Sequence, residues 1–262
     1  MHPLEPFVEA WRGTTRDVLD LLPTLSDDDW AQPTDCPGWS VHDVVAHLAH
    51  LESVLAGLEE DDWPRGDAVP PSSYTQAGVD ARRDRSPSEL ADELERAVGI
   101  RSEALTELPD PAGNPARTPG DAPWTWQTLL TNRSIDCWVH EQDVRRAVGR
   151  PGGLDSGGAQ VTTRSFAAGM PFVLGKRVKP PAGTSVVWTI TGGVPLEVGA
   201  VMGEDGRATG DVAADPTTRL TLTSEAFTVL GAGRRGPDAV DVVIEGDEEL
   251  GRAVLGGMAL TR

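Results

Sequence analysis

The chain has only two cysteines, Cys36 and Cys137, too few for a disulfide framework. Cys137 falls on an apolar helical face, where it is expected to pack as a small hydrophobe. No apolar run approaches the length that spans a bilayer. The opening residues, MHPLEPFVEAWRG, lack the basic stretch and apolar segment of a secretory signal. A soluble cytoplasmic protein is therefore expected. Basic side chains are scarce, 23 against 41 acidic, for a formal net charge of −18. Such a surface repels nucleic acid and anionic lipid, both of which need basic patches. An anionic substrate would need a local arginine to overcome the overall field. There is no internal repeat, no G-x-S-x-G nucleophile turn and no Walker-type phosphate loop. His140-Glu141 does not open an H-E-x-x-H motif, because position 144 is Val.

What remains is enough for a substantial core. Apolar residues make up 39% of 262 positions, which allows one large domain or two ordinary ones. High Ala, Gly, Arg and Asp, with one Tyr and 8 Trp, point to a GC-rich source. Leu4, Phe7, Val8, Trp11, Val18, Leu21 and Leu22 recur at helical spacing, predicting a helix over 3–22 that Pro23 ends. A loop with the acidic run Asp27–Asp29 follows. Ser40, with Asp43 three residues on, is a capping-box start for a second helix, striped by Val41, Val44, Val45, Leu48, Leu51, Leu55 and Leu58. His47 sits at the edge of that stripe, whereas His42 and His50 point away. Residues 61–85 read as a long polar connection. Ser86-Pro87-Ser88-Glu89 then starts a third helix.

The fourth helix carries the sharpest signal. In NRSIDCWVHEQDVRRAVGR (132–150), Leu129, Leu130, Cys137, Val144, Ala147 and Val148 share one face at about 100° per residue. Arg133, Asp136 and His140 interrupt that face. Ionic groups there are costly unless they pair with each other or bind a metal. Asp136 and His140, four residues apart, project to nearly one point. Two readings follow. His47, Asp136 and His140 form a three-ligand centre of the catalytic zinc or non-haem iron type. Alternatively, Arg133 and Asp136 are a buried ion pair beside a core histidine. Asp143 either orients His140 from behind or is a solvated charge.

At 149–153, GRPGG, the pattern changes and a domain boundary is expected near residue 150. Beyond it the sequence predicts a helix over 158–174 and strands over 184–191, 195–201, 219–222 and 239–245. A short helix is expected at 224–230 and a last helix at 247–260. With the strands joined mostly as hairpins, this is an α+β domain following a helical bundle.

PGWSVHDVVAHLAH, followed by R-x-x-D-x-W-V-H-E-Q-D-V-R-x-A-x-G-R-P, resembles the maleylpyruvate isomerase family of mycothiol-dependent, DinB-like metalloenzymes. The run from Asp215 through SEAFTVLGAGR to VIEGDEELGRAVL resembles that family's sterol-carrier-like C-terminal domain. The resemblance implies a four-helix DinB-like metal-binding domain over 1–150 and an α+β sterol-carrier-like domain over 151–262. It implies zinc, or another divalent metal, on His47, Asp136 and His140, with mycothiol as the thiol cosubstrate. An actinobacterial source goes with it. The family's acid is commonly Glu, so Asp136 is one methylene short. The implied reaction is thiolate addition to a small electrophile, either cis–trans isomerisation of a maleylpyruvate-type substrate or S-transfer. Arg133 could neutralise a substrate carboxylate or simply pair with Asp136. Arg234 or Arg235 could clamp a carboxylate from the second half. A monomer or homodimer is expected. The competing readings are a non-catalytic small-molecule binding or sensing protein that retains the fold, and a thiol-independent zinc hydrolase.

Overall fold

A computed structural model of the chain describes residues 2–59, 63 and 69–261. It divides into two compact units, Met1–Val161 and Thr162–Arg262.

The first unit is helical. Helix α1 spans Glu5–Leu21, α2 Asp27–Trp30, α3 Val41–Ala56, α4 Ser72–Asp80, α5 Pro87–Ala104 and α6 Trp126–Ala147. The expected starts are present: Ser40 and Ser86 each accept from a backbone N–H three residues on, and Asp43 and Glu89 reach back to close the capping boxes. Helix α3 ends on Gly57, whose φ of 72° is the left-handed conformation that a residue without Cβ adopts cheaply. Helix α3 packs against α4, α5 and α6, while α1 lies on α5 and α6. Between them Val8, Trp11, Val44, Val45, Leu48, Leu90, Leu94 and Leu130 form one buried cluster. Each such large side chain contributes roughly 1.5–3 kcal/mol by leaving water.

Three expectations need correction here. The acidic run Asp27–Asp29 is not loop but the first turn of α2, capped by Ser26, with its carboxylates favourably placed at a helix N-terminus. Within the expected 61–85 connection, residues 72–80 form α4; residues 61–62 and 64–68 lie outside the described residues. His50 does not point away. It is buried, because α4 covers it: its Nδ1 lies 3.2 Å from Arg82 Nη1, and Tyr74 packs on its ring at 5.4 Å. Periodicity within α3 could not reveal a covering helix hidden in a polar segment.

In the second unit, α7 (Gly157–Ala168), which begins in the first unit, leads to α8 (Met170–Phe172) and a π-helical stretch at Val173–Val178. Strands β1 (Ser185–Thr191), β2 (Leu196–Met202), β3 (Ala208–Thr209), β4 (Thr218–Thr223) and β5 (Val242–Gly246) form a sheet of order β3-β2-β1-β4-β5. Helices α9 (Ser224–Gly231) and α10 (Glu248–Gly256) flank it. Val186, Val187 and Trp188 bury β1 at its centre. β1–β2 and β4–β5 are antiparallel, but β1 and β4 run parallel, Val186 opposite Thr218. The expectation of strands joined mostly as hairpins therefore misses this central parallel pair. It also misses β3, too short to show a period.

The α4 cover yields a test. Gly78 is helical, and Gly to Ala in a helix ordinarily gains up to about 1 kcal/mol. Here a Cβ would stand 2.1 Å from a His50 ring carbon. Gly78→Ala is expected to lower stability by about 1–3 kcal/mol in denaturant melts. An increase would show that α4 does not seat on His50 as described.

Candidate metal centre

Two helices bring the site together. His47 lies on α3 and Asp136 and His140 on α6. Each offers one ligand atom, and the three atoms lie within 4.8 Å of one another. His47 Nε2 is 3.2 Å from Asp136 Oδ2, and His140 Nε2 is 3.7 Å from Asp136 Oδ1. The imidazole rings meet edge to face at 4.8 Å. Trp39, just before the Ser40 cap, roofs both rings with centroids 5.0 Å from His47 and 5.8 Å from His140. Its Nε1 donates to Gln76 on α4 at 3.0 Å. The histidine side chains are 3% and 6% exposed and Asp136 24%, so the site opens to solvent on the side of the acid.

Behind Asp136 lies a buried ionic network. Arg133 Nη1 donates to Asp136 Oδ2 at 2.7 Å. Its Nε (3.0 Å) and Nη2 (2.9 Å) both meet Glu52 Oε1, and Nη2 also reaches Cys137 Sγ at 3.2 Å. Arg101 of α5 pairs with the other Glu52 oxygen and stacks its guanidinium 4.5 Å over the Trp11 ring. Trp11 Nε1 of α1 donates to Glu52 Oε1 at 3.2 Å. Glu52 and Arg133 are fully enclosed. Two carboxylates face two guanidinium groups, so the cluster balances its charge, as burial demands.

Arg133 thus lies against Asp136, with its donors spent on protein groups. Arg234 belongs to the other unit, where its Nη1 donates to the Ala232 carbonyl at 3.2 Å. Asp143 is buried, with Oδ2 3.1 Å from His140 Nδ1 and Oδ1 accepting from Arg146 at 2.8 Å, so it is not a solvated charge. Sequence reasoning passed over Glu52 and Trp39. Glu52 follows Leu48 by four residues and so interrupts the α3 stripe, the same signal that singled out Arg133. Trp39 carries no periodic signal.

The electrostatics suit a cation. Burial pushes the His47 imidazole down to about 4, outweighing the pull of Asp136, so it is neutral with a lone pair available. Burial pushes the Asp136 carboxyl upward, but Arg133 and then His47 outweigh it and hold the group ionised, well below the usual range. Two imidazoles and a carboxylate, with one open side, fit a divalent metal of the catalytic zinc type. The Nδ1 atoms of both histidines are buried without a hydrogen bond among the described residues.

Residues 11–145 match the family model described as the mycothiol maleylpyruvate isomerase N-terminal domain. The chain belongs to this family. Its fold is also that of the mycothiol-dependent maleylpyruvate isomerase. A crystal structure of that enzyme matches with a TM-score of 0.55 at 17% identity, over 92% of this chain and 93% of the other. A histidine-to-alanine variant of it gives 0.57 at 16%, with the same coverage. Uncharacterized proteins from two strains of Mycobacterium tuberculosis are 26% identical over 253 residues, 93% of this chain and 91% of theirs.

Two measurements probe this geometry. The free imidazole takes its proton near 6.5, whereas His47 in the fold takes it near 4. Between these values the unfolded chain binds more protons, so stability is complete above 6.5 and declines as pH falls toward 4. This one group accounts for about 3 kcal/mol. Metal-free protein should melt progressively lower across that window, and His47→Gln should flatten the slope. An identical slope in the variant would contradict the burial assigned to His47. Separately, Glu52→Gln strands two buried guanidinium groups and is expected to cost about 3–5 kcal/mol. A loss under 1 kcal/mol would show the network to be hydrated.

Proposed function

We propose that the chain is a metal- and mycothiol-dependent enzyme that adds the thiolate to a small electrophile. In cis–trans isomerisation of a maleylpyruvate-type substrate, sulfur adds to an activated double bond, the resulting single bond rotates, and the thiolate departs. In S-transfer the reaction ends at the adduct or displacement product. The observation that carries this reading is the convergence of His47, Asp136 and His140 at the mouth of a buried ionic network. Family membership and the shared fold support it.

A divalent metal held there, zinc in this reading, lowers the pKa of a bound thiol so that thiolate exists at neutral pH. The protein groups do the rest. His47 and His140 offer imidazole nitrogens, and Trp39 excludes water from their faces. Arg133 is a positioning residue: it fixes Asp136 Oδ2 and leaves Oδ1 toward His140. Asp143 sits behind the His140 ring, with Oδ2 3.1 Å from Nδ1. In this reading residues 1–150 are a DinB-like four-helix metal-binding domain and 151–262 a sterol-carrier-like domain. Arg234 is the second domain's candidate for holding a substrate carboxylate.

One observation favours a second reading, a binding protein that keeps the fold without the chemistry. Asp136 is already satisfied by Arg133 and His47 and needs no metal to be stable. Metal analysis of purified protein, followed by turnover with mycothiol, separates the two. The first reading expects about one divalent ion per chain and a thiol-dependent activity, with both lost in His140→Ala. Full metal and full activity in that variant would overturn it, and a chain with no affinity for zinc would favour the second.

A further inference from the structure

His140 faces two sets of ligand atoms. On its Nε2 side stand Asp136 and His47; on its Nδ1 side stands Asp143, with Oδ2 at 3.1 Å. A second trio, Cys36, His140 and Asp143, also offers one ligand atom each within 4.8 Å. Neither His47 nor Asp136 joins it. Cys36 is half-buried at the turn before α3, His140 is 5% exposed and Asp143 is fully buried. Among the described residues His140 Nδ1 is buried and makes no hydrogen bond, Asp143 standing off the donor direction.

We infer that Cys36, His140 and Asp143 form a second metal position, suited to a soft divalent cation and distinct from the His47 centre. A thiol, an imidazole and a carboxylate are a mixed donor set in which the sulfur selects soft ions. Arg146 Nη2 occupies Asp143 Oδ1 at 2.8 Å, leaving Oδ2 toward His140. The same guanidinium is shared with Asp35, at 2.7 Å from Nε. Arg146 is thus held between Asp35 and Asp143, with the second Asp143 oxygen on the side of His140. A neutral imidazole has a single lone pair. His140 therefore serves one position at a time, and a soft ion at Cys36 withdraws a ligand from the His47 centre. The position itself rests on Cys36, Asp143 and the Nδ1 side of His140, and stands whether or not the proposed activity does. Its effect on the His47 centre rests on that proposal.

Cadmium separates the positions, because only a cadmium–thiolate bond gives the strong ultraviolet charge-transfer absorption, and the His47 centre has no thiol. Titrating metal-free, reduced full-length protein with Cd2+ alone is expected to raise this band to saturation near one ion per chain. Cys36→Ser should abolish it although Cys137 remains. Asp143→Asn should weaken it, and His47→Gln should preserve it. Absence of the band in the unaltered chain would overturn the inference. So would a band undiminished by both Asp143→Asn and His140→Gln, which would mark an exposed thiol binding by itself. Circular dichroism of each variant confirms folding. The His47→Gln arm keeps the outcome independent of the proposed activity, since that variant is expected to lose turnover and retain the band.

Discussion

Arg133 between Glu52 and Asp136 is the interaction on which the first unit depends. A fully enclosed guanidinium is tolerable only if its donors and charge are met, and here they are met from two helices at once. Glu52 in turn gathers Arg101 from α5 and Trp11 from α1. One carboxylate therefore ties α1, α3, α5 and α6 together at the depth where His47 and His140 must meet. Apolar packing can tolerate a slight slide of one helix along another. Four directed ionic and hydrogen-bonding contacts on one side chain cannot.

The site is the solvent-facing end of that network. Asp136 belongs to both: Arg133 takes one oxygen from behind, and the two imidazoles approach from the front. The arginine keeps the acid ionised while burial keeps His47 neutral. The fold thus sets the opposite protonation states that would suit a cation.

Much of this was legible in the residues, and for identifiable reasons. Ser40 and Ser86 announce helix starts because a hydroxyl and an acid three residues later satisfy exposed amides locally. Polar residues stood out at 133, 136 and 140 because the helical period places them on an apolar face. What escaped depends on tertiary neighbours. His50 is polar in sequence and buried in space because α4, folded from a segment rich in Pro and Ser, lies over it. Asp143 was ambiguous until Arg146 and Asp35 appeared around it. Trp39 lies outside any repeating pattern. The parallel β1–β4 pair joins strands separated in sequence by β2 and β3, a long-range pairing that local alternation cannot encode.

The charge balance around Glu52 also bears on how such a chain can diverge. The anchor of the first unit contains neither imidazole, so the scaffold's integrity and the two histidines are under separate constraints, with Asp136 alone tied to both. A lineage could exchange or discard the histidines while selection on folding preserved positions 52, 101 and 133. Descendants of this architecture should then vary most freely in chemistry where they vary least in shape.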